Sequence, residues 1–392
     1  MNVLLVSASV SKRLQDELYG RYGISTGFAI QKYYRLLEEG LNLNGAKVEE
    51  LSIVPVSQAS APFVLKRFKS EKEDGVSHRY LTYLKYASLY HPLVLISLFF
   101  RVLWWSLRNR KGGLVICDIL IPSVCIGTAL GSALGGCRRL AWVTDMPGIT
   151  SDGKGAYEQM GLLTKLQIKS IQSFSGFIFS TRQSNDRLNV KKRPYAVVEG
   201  FVSPAISAGP PVQKSKQKVV LYAGGLKDEY GIIALCEAVA MLKHRDDLRL
   251  IIYGSGPSEG KIKEYAKADS RIDYRGTAIN EVIVKAEKEA LLLVNPRFTG
   301  AEYTLYSYPS KNIEYMVSGT PLVTTRLAGI PEDHYPYLYT FDTETAEGYA
   351  ATLDSLLAKP EGELKEFGQR AAEYIRSAKA SDVQVRKILN IL

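Results

Sequence analysis

The chain has 392 residues, a formal net charge of +10, 46% hydrophobic residues and 23% charged residues. That length is enough for two domains, and that composition is ordinary for a folded globular protein and excludes a disordered one. The positive charge favours an anionic partner, which nucleotide phosphate, acidic lipid and nucleic acid would all satisfy. The basic runs at 191–193 and 214–218 are not interleaved with aromatic residues, so no nucleic acid partner is expected.

The cysteines and histidines indicate the cellular compartment and argue against a metal site. Cys117, Cys125, Cys137 and Cys236 form no C-x-x-C pair, and three of them have small or apolar neighbours. They are interpreted as buried thiols in a reducing, cytoplasmic compartment. The four histidines are scattered without metal-ligand spacing, so no metal is expected.

Short runs rich in Val, Ile and Leu alternate with helical stretches along the chain. This alternation predicts an α/β protein, and the runs that are apolar throughout indicate parallel strands covered by helices on both faces. The first run has no basic segment before it and is interpreted as a core strand rather than a signal peptide. The predicted strands are 3–7, 114–118, 139–144, 177–181, 195–199, 218–223, 248–253, 290–294 and 320–325.

A stretch rich in proline and lysine after the fifth predicted strand indicates an interdomain linker. We therefore predict two Rossmann-like domains that face each other across a cleft. Ligands of such sheets bind outside the carboxyl ends of the strands, so the loops after the strands should carry the chemistry. The predicted divisions are an N-terminal domain over 1–200, a linker over 201–217, a C-terminal domain over 218–375, and a helix over 376–392 that packs back on the N-terminal domain.

The segment Leu93–Leu107 is apolar on almost every face. Pro92 precedes it, it contains Trp104 and Trp105, and basic residues and glycines follow it, which predicts a helix with proline at its start. Fifteen residues fall short of the ~20 that span a bilayer. Two interpretations stay open: a helix buried in the protein core, and a helix that docks on a membrane surface through residues 92–111.

Glycine-rich turns follow two predicted strands of the C-terminal half. The strand over 218–223 leads into Gly224 and Gly225, with Lys227 shortly after, and such glycines let backbone N–H groups approach a phosphate. The alternative is a strand-to-helix turn without a ligand. The turn Gly254–Pro257 lacks a complete G-x-G-x-x-G and the acidic residue that binds ribose, so NAD is not expected.

The segment 308–325, with the sequence YPSKNIEYMVSGTPLVTT, carries the strongest signal. Its Pro-Ser start is predicted to open a helix that Gly319 ends, with Glu314 on the same helical face as Ser310 and Lys311. A carboxylate there can accept hydrogen bonds from ribose hydroxyls while the helix start holds phosphate. A solvated helical glutamate is the alternative.

This segment resembles the nucleotide-binding signature of the retaining glycosyltransferases of family 4, which have the two-domain GT-B architecture. The resemblance extends over nearly the whole chain, including VTDMP at 143–147 and EGFV at 199–202. It is strongest with the bacterial subset that assembles capsular, exopolysaccharide or lipopolysaccharide glycans.

The resemblance implies transfer of a sugar, with retention of configuration, from a nucleotide-diphosphate donor to a glycan or lipid-linked acceptor. The donor would bind the C-terminal domain and the acceptor the N-terminal domain, without a metal. It also implies a cytoplasmic protein in cell-surface polysaccharide synthesis, peripheral on the inner face of the membrane if residues 92–111 dock there.

The resemblance also assigns site residues. Glu314 would bind the ribose, with Ser310 and Lys311 near the diphosphate. A glycine of the N-terminal domain would face the donor phosphates across the cleft, and an Arg-Gly pair would lie near the base. The candidate donor-binding residues are Gly27, Gly224, Gly225, Lys227, Arg275, Gly276, Arg297, Ser310, Lys311 and Glu314.

One catalytic candidate comes from the N-terminal domain. Asp145 follows a predicted buried strand, where members of the family often place a His or Asp near the reacting sugar. The alternative is an Asp that caps the following turn, with Pro147 two residues on. Asp145 and Lys311 are therefore the two catalytic candidates.

Two departures from the family pattern concern charge. Members often carry Arg after the first glycine of the double-glycine turn and Lys before its last glycine, whereas this chain has Gly225 and Tyr230. Phosphate neutralisation then falls to Lys227, Arg297 and Lys311, with Lys311 first by position.

A third departure concerns a carboxylate and leaves other functions open. The family has two glutamates separated by seven residues, and the position eight before Glu314 is Tyr306; Glu302 is the nearest substitute. The missing glutamate is consistent with a catalytically silent scaffold of a polysaccharide assembly complex. A nucleotide-sugar epimerase of the same fold is the other alternative.

Overall fold

The computed structural model describes residues 1–147, 161–206 and 217–392 and divides them between two compact units. Unit 1 comprises Met1–Pro204 and Ala380–Leu392, and unit 2 comprises Ala205–Lys379. Residues 207–216 lie outside the described residues, so most of the predicted linker over 201–217 is not described.

Unit 1 is built on an eight-stranded sheet with a separate two-stranded ribbon. The strands are β1 (Asn2–Ser7), β2 (Lys47–Ser52), β3 (Leu65–Lys66), β4 (Glu71–Glu73), β5 (Val76–Tyr80), β6 (Tyr83–Leu84), β7 (Leu114–Asp118), β8 (Arg138–Val143), β9 (Gly176–Phe179) and β10 (Tyr195–Val197). The sheet order is β10-β9-β8-β7-β1-β2-β5-β4, and β3 pairs with β6. Every pairing in the sheet is parallel except that of β4 with β5.

Helices cover both faces of this sheet. They are α1 (Lys12–Tyr22), α2 (Phe28–Leu43), α3 (Ala87–Arg108), α4 (Pro122–Gly135), α5 (Leu162–Ile171) and α6 (Arg182–Leu188). Leu37 and Leu41 of α2 pack in one core with Val3 and Leu5 of β1. Alternate residues of a strand point to opposite faces of the sheet. Because helices cover both faces, the strands are apolar at consecutive positions.

Unit 2 has a six-stranded parallel sheet. Its strands are β11 (Lys218–Ala223), β12 (Leu248–Tyr253), β13 (Ile272–Tyr274), β14 (Leu292–Asn295), β15 (Leu322–Thr324) and β16 (Tyr339–Thr340). The order β13-β12-β11-β14-β15-β16 reverses direction between β11 and β14, which is the point where ligands bind in such sheets. Its helices are α7 (Ile232–Met241), α8 (Glu259–Ala268), α9 (Asn280–Glu289), α10 (Tyr303–Tyr306), α11 (Lys311–Val317), α12 (Ala346–Leu357) and α13 (Glu361–Ala378).

The predicted α/β class and the nine predicted strands are confirmed, each strand within two residues of its predicted bounds. The strands that the sequence did not predict are short or polar. Strand β2 is the clearest case, because Lys47, Glu49 and Glu50 interrupt its apolar pattern.

Helix α3 is longer than the predicted fifteen residues. It runs for 22 residues from Ala87, so Pro92 is inside the helix instead of at its start. The prediction was wrong because proline in the second turn removes only one intrahelical hydrogen bond, which the apolar packing of the helix outweighs. By length and composition, α3 is the one helix among the described residues that could cross a membrane.

The chain ends in unit 1. The single helix predicted over 376–392 is two helices, because α13 ends at Ala378 and α14 (Ser381–Leu389) follows. Helix α14 contacts α2 closely enough that a Cβ on Gly40 would lie 2.3 Å from the carbonyl oxygen of Ser381. The Ser381 hydroxyl also donates to Glu39 at 3.0 Å.

Candidate functional site

The predicted donor-binding residues of unit 2 collect where its parallel strands end. Gly224 and Gly225 follow β11, Arg275 and Gly276 follow β13, and Arg297 follows β14. Carboxyl ends of parallel strands meet at one edge of a sheet, here called the carboxyl edge of unit 2.

The glycines of the two strand-ending turns allow these turns to pack against each other. A Cβ on Gly254 would lie 1.9 Å from the carbonyl oxygen of Gly224, and one on Gly256 would lie 2.4 Å from that of Leu226. The Leu226 N–H donates to Ser255 at 3.0 Å. The second turn therefore fixes the position of the first.

Arg297 lies beside the double-glycine turn. The chain approaches so closely here that a Cβ on Gly231 would lie 1.8 Å from the carbonyl oxygen of Pro296. The Arg297 guanidinium lies 4.4 Å from the centre of the Tyr230 ring, and the Lys227 ammonium lies 5.5 Å from it. The ring also adjoins Gly225, where a Cβ would lie 3.2 Å from a ring carbon. Tyr230 thus holds the cation beside the turn.

Arg297 differs from the other predicted cations of this edge in its pairing. Its Nε is buried without a hydrogen-bond partner, and no carboxylate pairs with it in the part of the chain that the structure describes. A buried donor left unpaired is costly, and a bound anion would remove that cost. The other predicted cations each pair with a carboxylate: Lys227 with Glu229 at 3.3 Å, Arg275 with Asp273 at 2.9 Å, and Lys311 with Glu314 at 2.7 Å.

Helix α11 brings Lys311 and Glu314 to the same edge. Ser310 precedes the helix without capping it through its side chain. The helix is held against β11 by the buried Tyr315, whose hydroxyl accepts from Ala223 N–H at 2.7 Å and donates to Ala223 carbonyl at 3.1 Å. The helix that carries Lys311 and Glu314 is therefore tied to the residue before the double glycine.

Sequence reasoning missed the polar residues that anchor α11. Asn295 at the end of β14 donates to the Asn312 side chain at 2.6 Å, and Thr324 of β15 donates to the Asn295 carbonyl at 3.0 Å. Both asparagines are buried. The sequence could have indicated this anchor, because Asn312 lies beside Ile313 and Met316, two apolar residues typical of the buried face of a helix.

Arg275 and Gly276, the residues predicted to lie near the base, directly follow β13. Arg275 donates to the Tyr253 hydroxyl at 3.0 Å, and the Gly276 carbonyl accepts from Gly254 N–H at 2.8 Å. Because Gly254 also packs against Gly224, Arg275 and Gly276 lie close to the double-glycine turn. Of the two residues discussed for the missing glutamate, Glu302 is exposed just before α10, and Tyr306 ends that helix.

Two predicted residues belong to unit 1. Gly27 directly precedes α2 with a φ of +82°, a conformation that favours glycine. Asp145 follows β8, is exposed to solvent, and has no hydrogen-bond partner among the described residues. Partial desolvation by the surrounding protein raises the pKa of Asp145 above its ordinary value.

Unit 1 also holds buried carboxyl groups that sequence reasoning missed. The Ser7 hydroxyl donates to Glu50 at 2.7 Å, and the Ser9 hydroxyl donates to Glu38 at 3.3 Å. Burial raises the pKa of Glu50 well above its ordinary value, raises that of Glu38 to about 8, and also raises that of Asp118. Each of these carboxyl groups therefore binds its proton more tightly than an exposed carboxyl does.

A family model matches part of the chain. Residues 217–359 match the model described as Glycosyl transferases group 1, which covers most of unit 2 and none of unit 1. A search of curated proteins finds no match.

Solved structures match the chain over its full length. Sucrose-phosphate synthase from Thermosynechococcus elongatus has a TM-score of 0.65 at 15% identity and covers 100% of this chain and 98% of its own. HepE from Anabaena, in complex with UDP, has a TM-score of 0.63 at 12% identity, with 100% of both chains covered. The lipopolysaccharide outer core galactosyltransferase WaaB has a TM-score of 0.60 at 16% identity, covering 100% of this chain and 99% of its own. The fold is accordingly GT-B, with two Rossmann-like units.

Proposed function

We propose that the protein is a retaining glycosyltransferase that takes a sugar from a nucleotide-diphosphate donor bound at the carboxyl edge of unit 2. The observation that carries the proposal is Arg297, a cation without an ion-pair partner among the described residues, held over Tyr230 beside Gly224 and Gly225. The family match over 217–359 and the GT-B fold support the same reaction class.

The cation suits the charge that develops in the reaction. When the bond from the sugar to the donor diphosphate breaks, negative charge grows on the leaving oxygens, and preorganised donors stabilise it. Arg297 is already beside the turn and needs no carboxylate to be displaced. Lys311 is a second cation, and it can leave Glu314 for the diphosphate. The proposed reaction accordingly requires no metal.

Glu314 is proposed to bind the ribose. Its side chain is about one-quarter exposed, and its partner Lys311 is one-third exposed, so both are accessible to a ligand. A carboxylate accepts hydrogen bonds from two neighbouring hydroxyls, and such charge-assisted bonds are strong. A donor would then receive ribose contacts from Glu314 and phosphate contacts from Lys311, one helical turn apart.

The acceptor is proposed to be a glycan or lipid-linked glycan of cell-surface polysaccharide synthesis, bound by unit 1 with Asp145 near the reacting sugar. Asp145 is accessible and without a partner among described residues, which leaves its carboxylate available for a hydroxyl. The fold shared with WaaB supports this acceptor class. Four buried, unpaired cysteines support a cytoplasmic site of reaction.

The test is thermal stabilisation of the full chain by UDP-, GDP-, ADP- and CMP-sugars, followed by turnover of the best ligand. A ligand that binds only the folded state raises Tm. At a concentration one hundred times Kd it increases the free energy of unfolding by ~2.7 kcal/mol. We expect one base to stand out, and Glu314→Ala to abolish most of its effect. Glu289→Ala is the matched control. Glu289 also pairs with a lysine of its own helix, but that helix is α9 and not α11.

Each outcome discriminates between the functions that the sequence left open. No stabilisation of the folded protein by any nucleotide would overturn the proposal. Binding with conversion of the free donor to an epimer would indicate the epimerase. Binding without turnover on any lipid-linked or glycan acceptor would favour the scaffold.

A further inference from the structure

Helix α3 presents a row of large apolar side chains to solvent. Six side chains spaced three or four residues apart lie on one helical face. They are between 50% and 61% exposed, and we call them the apolar stripe: Leu89, Leu93, Ile96, Phe100, Trp104 and Leu107. At 1.5 Å per residue the stripe is ~27 Å long.

The opposite face of α3 is fixed to the rest of unit 1. Leu98 is fully buried, and a Cβ on Gly127 or Gly131 of α4 would lie 2.6 Å from an α3 carbonyl oxygen. The Trp105 indole N–H donates to Glu49 of β2 at 3.0 Å. A helix packed on one side against a helix and a sheet cannot also be surrounded by lipid, so α3 lies on a surface and does not span a bilayer.

The neighbouring helices extend the apolar surface. Helix α4 contributes Leu130 and Leu134, which flank the glycines that contact α3. Helix α5, which packs on α4, contributes Leu162, Leu163 and Leu166. These five leucines are between 45% and 76% exposed. An exposed apolar area of this extent on a folded domain marks an interaction site.

The chain segment that carries the stripe is rich in cations. Residues 75–117 contain six lysines and arginines and no aspartate or glutamate, and α4 and α5 contain no acidic residue either. At the end of the stripe, the Arg108 guanidinium lies 3.6 Å from the centre of the Trp104 ring. Tryptophan with neighbouring cations is typical of side chains at a membrane–water interface.

A cavity adjoins the same part of the stripe. It has a volume of about 330 Å³, lies between α3 and the sheet, and is lined in part by Phe100, Arg101 and Trp104. None of its lining residues is a predicted donor-binding residue. Two acidic residues also line it: Glu49, which pairs with Arg79 at 3.2 Å, and Glu50, which is buried. The surface beside Trp104 therefore has depth, and Arg101 is an exposed cation there.

We propose that the apolar stripe docks unit 1 on the surface of a bilayer that contains anionic lipid. The apolar side chains enter the boundary between headgroups and acyl chains, while Arg101, Arg108, Arg110 and Lys111 contact anionic headgroups. A second copy of the chain fits the surface less well. A two-fold interface would bring these cations against their own copies, and the segment 75–117 that carries them supplies no acidic partner. The proposal does not depend on the donor chemistry of unit 2.

The test is co-sedimentation of the full chain with vesicles of phosphatidylcholine alone or with 30% phosphatidylglycerol, together with tryptophan fluorescence. We expect binding to the anionic vesicles, weakening as salt rises, with a blue shift from Trp104. The other two tryptophans, Trp105 and Trp142, are already buried and should not contribute. Phe100→Glu should lower the affinity by about tenfold or more.

Leu43→Glu is the matched control, because Leu43 is exposed to a similar extent but lies at the end of α2. It should bind vesicles like the unchanged protein. Absence of binding to anionic vesicles by folded protein, or equal binding by Phe100→Glu, would overturn the proposal. So would a dimer in sedimentation velocity that Phe100→Glu dissociates, since the stripe would then be a contact between two copies. The salt dependence of the unchanged protein tests the proposal even if a variant fails to fold.

Discussion

The two sheets of the molecule have the same kind of architecture but opposite chemistry where their strands end. In unit 1, Asp118 ends β7, Asp145 and Glu199 follow β8 and β10, and Glu38 and Glu50 are buried. In unit 2, the corresponding edge carries Arg297, Lys311, Lys227 and Arg275. Three of these four cations pair with carboxylates, and Arg297 has no such partner among the described residues. One topology thus supports an edge of carboxyl groups and an edge with an unpaired cation.

The difference shows which edge can hold an anion. A diphosphate at the edge of unit 1 would meet carboxylates, whereas at the edge of unit 2 it would meet Arg297 with a free Nε. Sugar hydroxyls, by contrast, are good partners for a carboxylate such as Asp145. Each of the following predictions tests one side of this comparison.

The largest expected effect comes from removing the free cation of unit 2. Arg297→Ala should lower kcat/KM for the donor by ~10²–10³-fold, the size of losing one donor to a developing oxyanion. Steady-state kinetics with the donor identified by thermal stabilisation would measure it. Arg370→Ala is the control, because Arg370 also lies over an aromatic ring but projects from α13. If both variants lose kcat/KM to the same extent, Arg297 does not bind the donor phosphates.

The next effect tests the acidic edge. Asp145→Asn should lower kcat by ~10²-fold if the carboxylate contacts the reacting sugar. Desolvation raises the pKa of Asp145, so the rate of the unchanged enzyme should fall with decreasing pH at a higher pH than for an ordinary aspartate. In Asp145→Asn, this decrease in rate at low pH should be absent. Asp186→Asn, an exposed position in α6, should retain it.

The buried acids of unit 1 should make its stability depend on pH. Glu38 in the folded protein keeps its proton to about pH 8, whereas an unfolded glutamate loses it near ~4.3. Between these values the unfolded state binds fewer protons, so stability falls as pH rises from ~5 to 8.

Glu38→Gln should remove that slope and raise the free energy of unfolding at pH 8 relative to the unchanged protein. Urea unfolding at pH 5.5 and pH 8 would measure it. Glu17→Gln, an exposed position in α1, should leave the slope as it is. A slope that persists in Glu38→Gln would show that Glu38 does not hold the proton.

The smallest expected effect concerns how Arg297 is held. Tyr230→Leu removes the ring beneath the guanidinium and should weaken donor binding by ~1 kcal/mol, whereas Tyr230→Phe keeps the ring and should change it little. Isothermal titration with the identified donor would measure both. If the two variants bind alike, the ring does not position the cation.

Much of the fold was readable from the sequence because the strands of both sheets are buried on two faces. A run such as Leu250–Tyr253 or Leu291–Val294 is apolar at every position, and that is a local property of the chain. Strand β2 was not predicted because Glu49 and Glu50 belong to it. Their partners Ser7, Arg79 and Trp105 come from other elements.

The site was readable only in part, for the same reason. Glu314 and Lys311 could be paired from helical spacing alone, since they are three residues apart. Nothing in the sequence pairs Arg297 with Tyr230, because their contact requires β11 and β14 to be neighbours in the sheet.

Hydrophobic periodicity and turn residues determined the α/β class, the nine strands and the segment at 308–325, because each depends on neighbouring residues only. The tertiary structure decided which cation remains unpaired, which carboxyls are buried, and which face of α3 is exposed. Those properties depend on contacts between residues distant in the chain, and such contacts exist only once the sheets and helices have packed.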